Sequence, residues 1–468
     1  MNARPPPSSF DRFDKPGQNG LPPLGRVLVT ADADARSPSR LGRLCRDVRE
    51  LLRHSDFIEV ERESDDVLAE LIIGSSKPRT NLRRIQVDYS GWTASVGPSE
   101  GELPHDTDDA PNPITSLFAA ACSVAAVFRF GPWREATGSN LTPLTFSLLN
   151  VPSDRETLPT LSSLDYGTAQ TALFGCGSIA HAFGWVMNGL RVSSGEFTLV
   201  DNGLVAEKNV RKYLGLSAGD LGRPKTDTLA GLIDGSGLTV VRRQLSANRF
   251  LRSTSAPPAL AITCTDTAVS RRDIQSHLPG LVLDAWSGND PLMLQAGVGW
   301  RGFGRGGSCL ICNHWTSREP HPDREAAAKT YGYTAHDLAS AIRENTDLPP
   351  RQGFGNVNRS QFIGQGNMCD EVPAVDGRRQ YSVPFVAAAA GALLALEVVV
   401  LGDSRLWPYR RRTPSLRIGI HPWESNLYSD RSTPKMGCIC QDEVWVNAHR
   451  RLWPEPTFGK FVDTAIVW

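Results

Sequence analysis

Apolar positions change their spacing several times along the chain, and each change marks an element. Leu41, Leu44, Val48, Leu51 and Leu52 recur three or four residues apart, which predicts a helix with one buried face. Asp56 to Glu61 and Arg83 to Tyr89 read as strands, whereas Val67, Leu68, Leu71, Ile72 and Ile73 fit either element. The polar, acidic stretch from Gly97 to Pro113 predicts a loop, and the alanine-rich run Ile114 to Phe128 a closely packed helix. Residues 26–165 therefore read as a small α/β module. Residues 1–25 hold too little apolar surface to offset the entropy of ordering and read as a flexible tail.

From Gln170 the texture sharpens. The apolar TALF predicts a short strand, Gly175-Cys176-Gly177 a turn, the stretch to Leu190 a helix, and Glu196 to Val200 a second strand ending at Asp201. Further strands are expected at Leu238 to Val241, Ala259 to Thr265 and Leu281 to Trp286, so the alternation predicts a mostly parallel sheet with helices on both faces. Phe385 to Leu401 is apolar except for Glu397 and falls short of the roughly 20 residues a membrane span needs, which predicts a buried helix. The weakly periodic region 316–380 is long enough to expect a functional segment.

Composition narrows the partner. The 468 residues carry 50 basic and 50 acidic side chains, without the basic excess of a general nucleic-acid or anionic-membrane binder. No nucleic acid and no membrane are expected, and the polar, proline-rich opening without a secretory pattern predicts a cytoplasmic protein. Nine cysteines, an odd number in a long chain, fit metal ligands plus a reactive thiol better than a disulfide framework.

Gly175-x-Gly177-x-x-Ala180 after a strand suits a nucleotide: a tight turn, close approach of phosphate to backbone, and a helix N-terminus facing the anion. With Asp201 positioned for ribose, it equally suits a nicotinamide-dependent oxidoreductase. The next segment discriminates, because Asn209, Arg211 and Lys225 beyond the acid suit charge developing on a triphosphate. A solvated polar helix face is the plain alternative. Cys309-x-x-Cys312 and Cys438-x-Cys440 supply the four thiolates of a structural zinc. His314 or His449 could replace one sulfur, and two buried reduced pairs are the alternative. Cys45, Cys122, Cys176 and Cys264 read as core residues.

The order Gly175/Gly177, Asp201, Asn209 with Arg211, Gly222 with Lys225, and Asp266 after a strand resembles the ThiF/MoeB/ubiquitin-activating superfamily. The compact size resembles its bacterial Bil-type, BilD-like, members. Ala180 stands at the turn's third glycine, Gly203 at a second family aspartate, and a gap-free register puts Lys212 at the family's arginine.

The resemblance implies a Rossmann-like ThiF-type adenylation domain over 166–468, with a zinc-clipped crossover segment. Residues 26–165 would be an inactive half-domain or a docking module. ATP would lie on Gly175, Gly177 and Ser178, with Asp201 on ribose, Asn209, Arg211 and Lys225 on phosphates, and Asp266 on Mg2+. Cys369, in a crossover leading into an alanine-rich helix, would take the acyl group as a thioester. The implied partners are a ubiquitin-like protein, a conjugating-enzyme-like protein and a second copy of the chain, in antiphage defence. A sulfur-carrier adenylating enzyme without conjugation is the alternative, and a scaffold without turnover another.

Overall fold

A computed structural model describes residues 25–31, 36–62, 67–98, 110–130, 143–150, 164–165, 170–190, 192–290, 293–304, 307–313, 371–373, 380–411, 413–421, 427–430, 433–436, 438–454, 458, 461–462 and 466. Cys369 and most of 316–380 lie outside them, as does His314.

The first unit runs β1 (Gly25–Ala31), α1 (Arg40–His54), β2 (Phe57–Val60), β3 (Val67–Ile73), β4 (Arg84–Ser90), β5 (Thr93–Gly97), α2 (Pro113–Phe130) and β6 (Leu144–Ser147). Its sheet has the order β2-β1-β3-β4-β5-β6. The first four strands are parallel, and β5 and β6 are antiparallel. The ambiguous run at 67–73 is a strand: parallel strands buried on both faces lose the alternation that separates strand from helix.

The second unit runs β7 (Thr171–Phe174), α3 (Ser178–Met187), β8 (Glu196–Val200), α4 (Glu207–Val210), α5 (Lys225–Ile233), β9 (Thr239–Arg243), α6 (Ala247–Ser253), β10 (Leu260–Thr263), α7 (Ala268–Ser276), β11 (Leu281–Asp290), β12 (Met293–Arg301), α8 (Pro384–Gly402), β13 (Ser415–His421), β14 (Leu427–Asp430) and α9 (Glu443–Leu452). Its sheet has the order β9-β8-β7-β10-β11-β12-β13-β14. The first five strands are parallel and the last three antiparallel. The antiparallel edge was not expected from the sequence, which ended the strand at Trp286, whereas β11 runs on to Asp290 and turns back as β12.

The two units repeat one topology. β1, β2, β3, β4, β5 and β6 occupy the places of β7, β8, β10, β11, β12 and β13, with the same neighbours and directions. α1 corresponds to α3, and α2 to α8. In each unit the later helix lies on its own sheet, and α2 and α8 pack against one another between the sheets. The main core fills this space with Leu44, Leu51, Phe118, Val124, Phe183, Leu393 and their neighbours, each large apolar side chain contributing about 1.5–3 kcal/mol. A second core, with Phe174, Phe250, Ile274 and Leu310, covers the opposite face of the second sheet.

By length and composition α8 could cross a membrane, but its residues are buried between the layers. A helix apolar on every side belongs in such a place. Its alanines and Gly391 permit close crossing: a Cβ on Gly391 would lie 2.5 Å from the Ala182 Cβ of α3. The one charge, Glu397, is buried and accepts from Arg410 Nε at 2.8 Å and Trp300 Nε1 at 2.5 Å, as a charge removed from water requires.

Candidate functional site

All four residues of β7 are buried, and the chain leaves the strand through Gly175 at φ +89°. A Cβ there would sit 2.9 Å from the Cys264 carbonyl carbon and oxygen, so the turn requires glycine both for its backbone and for its approach to β10's end. Gly177 is different. It caps α3 in an ordinary extended conformation, and the nearest atom to a Cβ would be the Tyr213 hydroxyl at 3.8 Å. Protein packing does not demand glycine at 177, and a Cβ there would meet no other atom within 4 Å. Ala180 and Ser178 are buried within α3.

Asp201, at the end of β8, braces this turn. Its Oδ2 accepts from the Cys176 amide at 2.7 Å and its Oδ1 from the Gly203 amide at 2.6 Å. A carboxylate has further lone pairs for a hydroxyl ligand. Cys176 itself is buried, and burial followed by the Asp201 charge pushes its thiol well above the ordinary range. Burial likewise pushes Cys264 up to about 12. Neither is a nucleophile at neutral pH.

Sequence reasoning missed two residues beside the turn. His181 of α3 is fully buried, with Nδ1 3.0 Å from the Gly177 carbonyl and Nε2 3.1 Å from Thr228 Oγ1. A carbonyl can only accept, so Nδ1 carries the proton; the Thr228 hydroxyl facing Nε2 also donates to the Lys225 carbonyl at 3.0 Å. Burial draws the ring's pKa down to about 4, so it stays neutral. Tyr213, also buried, packs its ring 4.9 Å from the His181 ring. Lys225, first residue of α5, holds Nζ 5.6 Å from the Tyr213 centroid, and its Cδ and Cε lie 3.3 Å from where a Gly203 Cβ would be. A lone histidine on an apolar helix and a tyrosine in a polar loop carry no periodic signal; only the fold brings them together.

Gly175, Gly177, Ser178, Asp201 and Lys225 thus gather at one turn. Asn209 is buried and its Oδ1 accepts from the Ala206 amide at 2.9 Å, capping α4. Arg211 pairs with Asp56 of the first unit at 2.8 Å, and Lys212 beside it is buried. Asp266 is exposed, one residue past the Thr265 backbone that abuts Gly175.

Cys309, Cys312, Cys438 and Cys440 form a second centre, all four buried, with sulfurs within 4.8 Å of one another. The shorter separations are 3.8 Å for Cys309–Cys312 and 3.5 Å for Cys309–Cys438 and Cys312–Cys440. Four sulfurs about 2.3 Å from a tetrahedral zinc lie about 3.8 Å apart, so the quartet fits that ion. The Lys435 amide donates to Cys312 Sγ at 3.2 Å. Hydrogen bonds with Cys309 and Cys440 lower the pKa of Cys312, while the same contact drives Cys309 upward. His449 is not a ligand: its Nε2 meets the Pro279 carbonyl at 3.1 Å and its ring packs on Phe303.

Residues 23–140 match the family model described as the BilD N-terminal domain. No curated protein matches the chain. Among solved structures, E. coli MccB with MccA-N7isoASN is similar at 16% identity and TM-score 0.34, covering 58% of this chain and 66% of that one. PaaA is similar at 13% and 0.32, over 56% and 64%. The Microcin C7 biosynthetic enzyme MccB in complex with N-formylated MccA is similar at 12% and 0.34, over 76% and 96%. The chain spans just under two thirds of the first solved structure, at 66%. Residues 23–140 are thus similar to a BilD N-terminal domain, and the unit that follows them is Rossmann-like, with a mostly parallel sheet.

Proposed function

We propose that this chain is an ATP-dependent adenylating enzyme acting on the C-terminal carboxylate of a ubiquitin-like protein. The observation that carries the reading is the space at Gly177, above the amides of α3, with Lys225 and Asp201 beside it. Phosphate oxygens would meet those amides and the Lys225 ammonium, ribose hydroxyls the Asp201 carboxylate, and Asp266 a Mg2+ shared with the phosphates. A substrate carboxylate oxygen then attacks the α-phosphorus; the bond to the β-phosphate oxygen breaks and pyrophosphate leaves with its electron pair. Lys225 offsets the charge that develops, a contribution worth about 3 kcal/mol in a dry site.

In the finer form of the reading, the Cys369 thiolate displaces AMP from the acyl-adenylate, giving a thioester for a conjugating-enzyme-like partner in antiphage defence. The four cysteines would hold zinc as a structural clip. The repeated topology supports reading 26–165 as an inactive half-domain, which pairs with the active half inside one chain. A homodimer is then a separate question, answered by mass in solution.

The test is pyrophosphate exchange with ATP, Mg2+ and candidate ubiquitin-like proteins. Lys225→Ala should lower exchange by a factor on the order of 100 without unfolding the chain. Exchange that survives in Lys225→Ala, or is absent with every candidate, refutes the reading. Cys369→Ala should retain exchange and lose a thiol-sensitive adduct on a nonreducing gel. Unimpaired sulfur transfer in that variant would favour the sulfur-carrier alternative.

A further inference from the structure

The wall of the glycine turn is built by a segment that the second unit does not hold alone. Tyr213 stands against His181 and Lys225, and its backbone belongs to a tight turn in which the Lys212 and Tyr213 amides both donate to the Asn209 carbonyl. Two acids of the first unit grip this turn from outside. Asp56 pairs with Arg211 at 2.8 Å, and Glu50 Oε1 accepts from the Gly215 amide at 3.0 Å. Glu50 is itself fixed by His54 Nε2 at 3.0 Å and by Arg53. Asp56 adopts φ +58°, the left-handed region that non-glycine residues seldom enter. Such conformations persist where surrounding contacts over-determine them, and they mark places where geometry has a use.

We infer that Glu50 and Asp56 are positioning residues for the nucleotide site: from the N-terminal unit they set where Arg211–Gly215 lies, and so where Tyr213 stands over Gly177 and Lys225. The inference rests on the adenylation reading and adds to it. The first unit is a working part of the site and not only a repeat of the second unit's topology. It also gives Arg211 a task other than phosphate binding, as the strut that meets Asp56.

Glycine adopts φ +58° without strain, so Asp56→Gly removes the carboxylate while relaxing the backbone. Thermal unfolding and calorimetric titration with MgATP are measured on the full chain, for wild type, Asp56→Gly, Glu50→Gln, Arg211→Met and the Asp56→Gly/Arg211→Met pair. Asp56→Gly should keep or raise the unfolding temperature and still weaken MgATP binding about three- to tenfold. The double variant should bind no more weakly than the worse single one, because both changes break the same link. Amide exchange should rise in 209–215 in Asp56→Gly and Glu50→Gln. Wild-type MgATP affinity in both of these variants overturns the inference and leaves the adenylation reading intact. A wild-type chain that binds no MgATP removes that reading and the inference with it.

Discussion

The two glycines of the turn should fail in opposite ways when replaced. Gly175→Ala forces an L-residue to φ +89°, a cost of about 1–2 kcal/mol. Its Cβ would also meet backbone of Cys264 at 2.9 Å and of Thr265 at 3.0 Å, neither of which can rotate away; overpacking of this kind adds about 1–3 kcal/mol. A loss of roughly 2–5 kcal/mol in stability is therefore expected. Gly177→Ser meets nothing closer than 3.8 Å at its Cβ and places a favoured residue at a helix N-cap, so stability should hold or rise by a few tenths of a kcal/mol. Yet the new side chain fills the space assigned to phosphate, and MgATP affinity should fall at least about tenfold, or 1.4 kcal/mol. Thermal unfolding and calorimetric titration on the same samples separate the outcomes. Gly177→Ser binding MgATP as tightly as wild type would refute the assignment of the site, whatever Gly175→Ala does.

Elemental analysis of the purified chain should find one zinc, and Cys309→Ser or a strong chelator should remove it and lower the unfolding temperature, since metal binding to such a quartet is folding free energy; a metal-free chain of unchanged stability would disprove the zinc clip. Glu50 supplies a pH signature. Burial opposes its ionisation, but His54 and Arg53 outweigh burial and hold the carboxyl down to about 2 from an ordinary 4.5. Its contribution, up to about 3 kcal/mol, is complete above pH 4.5 and is lost as pH falls towards 2. Glu50→Gln should flatten acid unfolding over that interval, and an unchanged curve would count against the Glu50–His54 contact.

Much of the second unit could be read from the sequence because its strands are short, apolar and punctuated: TALF before Gly175, and the acid at 201 after β8. The cysteine spacing likewise foretold a quartet, since close pairs of thiols far apart in the chain have few other uses. The antiparallel edge escaped, as β12 (MLQAGVGWR) mixes apolar and small residues without a clear period. The repeat escaped for a deeper reason. Sheet order and helix placement are conserved between the units while the glycine turn is not: Ala31 to Ser39 contains no glycine. Topology answers to burial pattern, which many sequences satisfy. Arg211's partner could not be found either, because Asp56 lies 155 positions away and belongs to the other unit.

The connection from β5 to α2 spans 98–112, whereas its counterpart from β12 to α8 spans 302–383 and contains Cys369. Two halves of one chain that share a topology are free to differ, each mutating without altering its mate, as two identical subunits never can. With the glycine turn in the second unit alone, the proposed site predicts saturation at a single equivalent of nucleotide per polypeptide.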